Sequence, residues 1–154
     1  MDYRIVRAEF ADAAEILKLQ KSAYQIEAER YHNDRIAPLM QTLSELEGQF
    51  RDHVILKAVM DGRIVGTVRA CDKDGTCHVG RLAVDPGLQN RGIGAALLSA
   101  VEGACPAPRY ELFTGSKSSN NIHLYQKLGY VVYDKGRHAH GAIEVIYMEK
   151  KITA

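Results

Sequence analysis

The 154-residue chain carries twenty Lys and Arg against nineteen Asp and Glu, with 46% hydrophobic and 25% charged residues. A net charge of +1 leaves no cationic excess to drive bulk nucleic-acid binding, and no apolar run approaches the roughly eighteen residues that signal a membrane span. One domain over 1–154 is the simplest organisation, burying about 70% of the unfolded surface.

Tyr3–Arg7 alternates like a short strand. Asp12 followed by Glu15 reads as a capping box, after which Ile16, Leu19, Ala23 and Ile26 keep a helical period. Arg30 to Met40, with Pro38, breaks that pattern. Thr42 and Glu45 form a second capping box ahead of Leu43, Leu46 and Phe50. Val54–Met60, Asp61-Gly62 and Arg63–Ala70 predict a hairpin, because Asp-Gly suits a tight turn with positive φ. Lys73-Asp74-Gly75 turns the chain again into Thr76–Val84.

A helix is predicted over Ile93–Ala104, then a break at Pro106 and Pro108 and a strand over Tyr110–Phe113. Ser118 or Ser119 caps a further helix running to Leu128, with Gly129 as its stop. Strands over Tyr130–Arg137 and Ile143–Lys150 flank a loop at His138–Gly141. The order predicts an α/β sheet layered with helices rather than a regular βαβ repeat. Cys71, Cys77 and Cys105 are an odd set without CxxC spacing, as expected of reduced thiols. Met1-Asp2-Tyr3-Arg4 starts no leader pattern. The expected location is the cytoplasm.

Gln89-Asn90-Arg91-Gly92-Ile93-Gly94, between the apolar run Arg81-Leu82-Ala83-Val84 and the helix Ile93–Ala104, is the most informative stretch. A helix's first turn has N–H groups without intrahelical partners and a positive dipole end. Gly92 and Gly94 let a phosphate approach that backbone, and Arg91 adds a cation. The plainer reading is a strand-to-helix connection whose glycines only relieve crowding. The dinucleotide fingerprint fails, since Gly92-Ile93-Gly94-Ala95-Ala96-Leu97 lacks the third small residue and its acidic ribose partner. Gly115-Ser116-Lys117-Ser118 lacks the Gly-Lys of a phosphate loop. No metal is expected, because His138-Ala139-His140 falls in a loop and Cys77-His78 is a thin ligand pair.

A second motif runs Asn121-Ile122-His123-Leu124-Tyr125-Gln126-Lys127-Leu128-Gly129-Tyr130. Asn121 and Tyr125 are one helical turn apart and reach one ligand from the same face. An amide suits a substrate with an amide arm, and a phenol suits protonation of a departing thiolate. A half-buried tyrosine with a packing role explains this motif alone equally well.

Together the two motifs resemble the GCN5-related N-acetyltransferase (GNAT) family. Its signature Gln/Arg-x-x-Gly-x-Gly/Ala is met by Gln89, Gly92 and Gly94. Its later pattern is met by Asn121, Leu124, Tyr125, Leu128, Gly129 and Tyr130. The resemblance covers about residues 76–133. It implies a central mixed, mostly antiparallel sheet of about seven strands, helices on both faces, and a splayed pair of parallel strands, Thr76–Val84 and Tyr110–Phe113. It also implies acetyl-CoA as co-substrate. Leu82, Ala83 and Val84 would pair with the pantetheine arm, and the amides of Gln89, Asn90, Arg91, Gly92, Ile93, Gly94 and Ala95 would cradle the pyrophosphate beside Asn121. A strand amide near Leu82 would steady the oxyanion, and Tyr125 would protonate the leaving sulfur.

At pH 7 a lysine-like amine with pKa about 10.4 is almost wholly protonated, so direct attack benefits from a base. Histone-acetylating members carry a glutamate eleven positions before the motif glutamine; here His78 stands there. Histidine is a competent acceptor near neutrality, which makes His78 the preferred base. Glu111 is the second candidate, against its plainer reading as a solvent-facing strand carboxylate. By the same resemblance the acceptor amine meets Tyr24 to Gln41 and His138 to Glu144, with Tyr24, Glu27, Tyr31 and Glu144 as candidate contacts.

The leading expectation is an acetyl-CoA-dependent N-acetyltransferase acting on a small-molecule or peptide amine, with a homodimer open. The alternatives are a non-catalytic acyl-CoA-binding module and a plain phosphate-binding α/β protein. Tyr125 favours the enzyme, because binding alone needs no thiolate acid.

Overall fold

The computed structural model describes residues 2–139 and 141–152. Two tight turns organise the middle of its sheet. Asp61 and Gly62 adopt φ of 51° and 76°, and Asp74 and Gly75 adopt 53° and 85°. Both turns need the left-handed region, which Asp tolerates and Gly enters freely. They join β2 (Val54–Met60), β3 (Arg63–Lys73) and β4 (Thr76–Val84) into an antiparallel meander. With β1 (Arg4–Arg7), β5 (Arg109–Gly115), β6 (Val131–His138) and β7 (Ile143–Lys151), the sheet runs β1-β2-β3-β4-β5-β7-β6. Among the described residues only β4 and β5 pair in parallel.

Five α-helices lie among the described residues: α1 (Ala13–Arg30), α2 (Ala37–Met40), α3 (Leu43–Gln49), α4 (Ile93–Ala104) and α5 (Ser119–Lys127). On one face α4 and α5 bury Leu97, Leu98, Val101 and Tyr125 against Leu56, Val68, Cys77 and Met148. α4 packs so closely on β3 that a Cβ at Gly66 would come within 2.8 Å of Leu97. On the other face Ile16, Leu19 and Leu46 cover Ile55 and Ile64. The layered α/β expectation, with helices on both faces and the splayed strands, is the architecture observed.

Three local details differ from the sequence reading. Asp12 and Glu15 do not form a capping box: the Asp12 carboxylate accepts from Glu9 N–H at 2.8 Å and pairs with Lys57 at 2.7 Å, while Glu15 accepts from Ile64 N–H at 2.8 Å. Asp12 instead closes a capping box one turn earlier with Glu9, and Glu15 is drawn to the start of β3. Ile26 is exposed, because α1 turns Ala28 inward instead. Ser118 precedes α5 but caps nothing; its hydroxyl is engaged by α1. The Thr42–Glu45 box forms as read, with bonds of 2.8 and 3.1 Å. His140 of the His138–Gly141 loop lies outside the described residues.

Candidate active site

The site begins where the sheet splits. β4 and β5 pair through Thr76–Arg109, Cys77–Tyr110 and His78–Glu111, and there the register ends. Beyond it the β5-facing backbone edge of β4 has no strand beside it. A bulge adds to the divergence: Thr67 pairs with Ala83 and Arg69 with Gly80, so Arg81 and Leu82 stand opposite Val68 alone. Arg81 takes φ 53°, which the extra residue of a bulge makes possible.

The opening is a cleft of about 210 Å³. One wall is Leu82, Ala83 and Val84; the mouth is Leu88, Gln89, Asn90, Gly92, Ile93, Gly94 and Ala95. Asn120, Asn121 and Leu124 of α5 face Ala23, Tyr24 and Glu27 of α1. Gly92 is the N-cap of α4 at φ 84°. Ala96 N–H closes the first turn on the Gly92 carbonyl at 3.0 Å. The N–H groups of Ile93, Gly94 and Ala95 therefore lack intrahelical acceptors, in an electropositive mouth. A Cβ at Gly92 would meet nothing within 4 Å, so the space above that backbone is open to a ligand.

Of the residues singled out for cofactor binding, the fold brings together Leu82, Ala83, Val84, Gln89, Asn90, Gly92, Ile93, Gly94, Ala95 and Asn121. Arg91 lies exposed beside them. Tyr125 stands behind this lining: it is buried, its ring packs edge-on against Tyr130 at 6.3 Å, and Asn121 and Leu124 face the cleft in its place. Burial, then the neighbouring Tyr24 and Glu27, push the Tyr125 hydroxyl far above the ordinary tyrosine range. Burial also pushes Tyr24 up to about 12, with the Arg81 charge opposing and Glu27 adding. Both phenols thus hold their protons throughout the neutral range.

His78 and Glu111 also lie outside the cleft lining, at the foot of the split, 3.1 Å apart. Burial opposes ionisation of Glu111, but hydrogen bonds from Tyr133 and Arg109 outweigh it and hold the carboxyl below its usual range. Arg109 is fixed in turn by Glu149 at 2.8 Å. The carboxylate in the cleft itself is Glu27. Its oxygens accept from Arg30 at 2.8 Å and from Ser118 at 2.7 Å, and Ser118 also meets the Tyr31 hydroxyl at 2.8 Å. Glu144 is exposed and outside the lining. Sequence reasoning missed Ser118 as a support for Glu27; a serine ahead of a helix reads locally as a cap.

Solved acetyltransferases share this architecture. The paia N-acetyltransferase of Thermoplasma acidophilum, solved with coenzyme A, matches with TM-score 0.77 at 18% identity, over 99% of this chain and 100% of that one. The ribosomal-protein-S18-alanine N-acetyltransferase of Escherichia coli matches at 0.80 and 17% identity, over 99% and 96%. The yncA protein of Salmonella typhimurium, solved with its cofactor acetyl-CoA, matches at 0.78 and 20%, over 100% and 96%. Split sheet and glycine-entry helix thus define an acetyltransferase fold. The chain belongs to the Acetyltransferase (GNAT) family, whose sequence profile matches residues 14–130. The uncharacterized protein YxbD of Bacillus subtilis (strain 168) is 33% identical over 73 residues, 46% of this chain and 45% of that protein. That match takes in less than half the relative's length.

Proposed function

We propose that the protein transfers an acetyl group from acetyl-CoA to the nitrogen of a primary amine, both substrates being held together in one domain. The observation that supports this reading is the split at His78 and Glu111, which opens a bare strand edge toward the unpaired amides of α4. The residues fit the cofactor: open space over Gly92 and three free helix N–H groups suit a diphosphate, and the Leu82–Val84 edge suits an amide-bearing arm. When bound, acetyl-CoA supplies an activated acyl carbonyl on a thiol leaving group.

The chain's own groups do the remainder. Leu82, Ala83 and Val84 orient the arm, Asn121 bounds it, and the N–H groups of Ile93, Gly94 and Ala95 neutralise phosphate charge. Glu27 draws the ammonium form of the acceptor into the cleft. Glu111 favours a proton on His78 Nδ1, leaving Nε2 to take the amine's proton, directly or through water. Tyr125 Oη carries a proton available to the leaving sulfur.

The test is a panel of primary amines with acetyl-CoA, read by released thiol and by product mass, beside calorimetry with coenzyme A. Binding heat and at least one acetylated amine are expected. Binding with no accelerated amine points instead to an acyl-CoA-binding module, and no heat from coenzyme A overturns the reading altogether.

A further inference from the structure

Arg69 of β3 and Arg81 of the β4 bulge flank a half-open hollow beneath α1 and α3, whose water-sized interior of about 10 Å³ leaves a larger anion to meet them at its rim. Both are half-buried. Neither has a carboxylate within 4 Å among the described residues. Their partners are neutral amides. Arg81 Nη1 donates to Gln41 Oε1 at 2.7 Å, and Arg69 Nη1 donates to Gln49 Oε1. A chain of glutamines ties the two ends together: Gln20 Nε2 donates to Gln41, and Gln41 Nε2 to Gln49, both at 2.9 Å.

The carboxylates whose charge reaches these arginines are committed elsewhere. Glu45 accepts from Thr42 N–H at 2.8 Å, and Asp52 meets His53 at 2.6 Å. Burial lowers both guanidinium groups, Arg69 to about 10 with repulsion from Arg81 adding to it. Two neighbouring cations, partly withdrawn from water and with only distant counter-charges, are costly to hold. Each guanidinium has five N–H donors, and one amide oxygen apiece leaves most of them for an incoming oxyanion.

Tyr24 connects this pair to the cleft. It lines the cleft and lies within electrostatic reach of Arg81, Arg69 and Glu27. Gln20, Tyr24, Glu27 and Tyr31 recur at the spacing of one α1 face. That face runs from the glutamine chain holding the arginines, past Tyr24, to the Glu27 carboxylate. Positive charge at one end and, at the other, a carboxylate shared with Arg30 and Ser118 match a ligand with opposite charges in the reverse order.

We infer that Arg69 and Arg81 form an anion subsite, and that the acceptor is a primary amine also bearing a carboxylate or phosphoryl group. The inference rests on the acetyltransferase reading above. It makes Arg69 and Arg81 the residues that select the acceptor, while Glu27 receives its ammonium group.

The experiment compares matched amines with acetyl-CoA: glycine against glycinamide, and aminoethylphosphonate against ethanolamine. The anionic member should show kcat/KM about tenfold higher or more, the scale of one charged hydrogen bond. Arg81→Gln should bring each pair to within about twofold, through KM, while the heat of coenzyme A binding certifies its fold; Arg81→Lys should lie between. Neutral amines used equally well, or a preference that survives Arg81→Gln, overturns the inference. A second arm does not depend on turnover. Inorganic phosphate and N-acetylglycine should each slow phenylglyoxal modification of Arg69 and Arg81, mapped by mass spectrometry, but not that of exposed Arg51. If no amine is acetylated the proposed function falls, and this arm alone decides the anion subsite; equal modification with and without the anions ends it.

Discussion

The His78 imidazole and the Glu111 carboxylate meet 3.1 Å apart in the last paired register before β4 and β5 diverge. Their closeness is a consequence of topology, since the parallel pairing of β4 with β5 sets them opposite one another. Glu111 remains anionic because Tyr133 and Arg109 donate to it against the cost of its partial burial. A carboxylate so held orients a ring rather than taking protons itself. His78→Ala should therefore lower kcat roughly tenfold or more, most toward neutral pH, where the amine is most fully protonated. Glu111→Gln should give a smaller loss with the same pH trend. A pH–rate profile left unaltered by His78→Ala removes it from the base role.

Tyr125 is buried with its proton held well above the ordinary range. It holds its proton at neutral pH but is a weak acid, so in the proposed role it gives that proton up only as negative charge builds on the departing sulfur. Tyr125→Phe should cut kcat at least about tenfold with little change in the coenzyme A Kd. The wild-type kcat profile should show no loss attributable to this phenol below pH 10. A variant with full kcat leaves Tyr125 a packing residue against Tyr130.

Burial of the phenols also fixes the alkaline limit of the fold. Tyr24 moves from 10.0 to about 12 on folding, and Tyr125 moves further in the same direction. Between those values the native state keeps protons that the unfolded chain has lost, so stability falls as pH rises. Urea unfolding should show this contribution intact below pH 10 and shrinking steadily toward pH 12. Absorbance at 295 nm should show these phenols ionising only with unfolding. Half of the full eight-tyrosine phenolate signal from native protein at pH 10, the level of unperturbed phenols, contradicts their burial.

Much of this fold was legible in the chain because its signals are local. Asp61-Gly62 and Asp74-Gly75 demand left-handed φ, and Ile93–Ala104 starts and stops where its periodicity does. The cleft lining around Gly92 was equally legible, being contiguous in sequence. The arginine pair beside it was not. Arg81 sits in an apolar run and reads as part of a strand; only the bulge opposite Val68 turns it toward Gln41. Asp12, Glu15 and Ser118 were misread for the converse reason. Glu15 and Ser118 each have a local partner in sequence and a distant one in space, and Asp12 divides its carboxylate between Glu9 N–H and Lys57.

Gly92 separates backbone strain from crowding. Nothing lies within 4 Å of the Cβ position, yet φ is 84°, a region L side chains pay to enter. Gly92→Ala should destabilise the protein by about 1–2 kcal/mol without any clash in the free protein. It should also weaken coenzyme A binding about tenfold, because the methyl group projects where phosphate approaches. Calorimetry and urea unfolding on the same sample give both numbers. Unweakened binding in a variant that loses stability moves the diphosphate away from this helix start.

Gly115 makes the opposite case. Its backbone is ordinary, but a Cβ there would overlap the Tyr31 ring. Tyr31 is the hub of the α1–α5 contact: its hydroxyl accepts from Lys117 N–H at 2.8 Å and meets Ser118 Oγ at 2.8 Å. Ser118 in turn donates to Glu27. Gly115→Ala should push the tyrosine off that position, costing about 1–3 kcal/mol for overpacking and about 1 more for each hydrogen bond lost. Tyr31→Phe should lose only the hydrogen bonds. Both variants should raise KM for the amine severalfold, since Glu27 loses its fixed orientation, while the coenzyme A Kd stays put on the far side of the cleft. If Tyr31→Phe leaves the amine KM unchanged, the Tyr31–Ser118–Glu27 chain braces the helices and has no part in holding the acceptor.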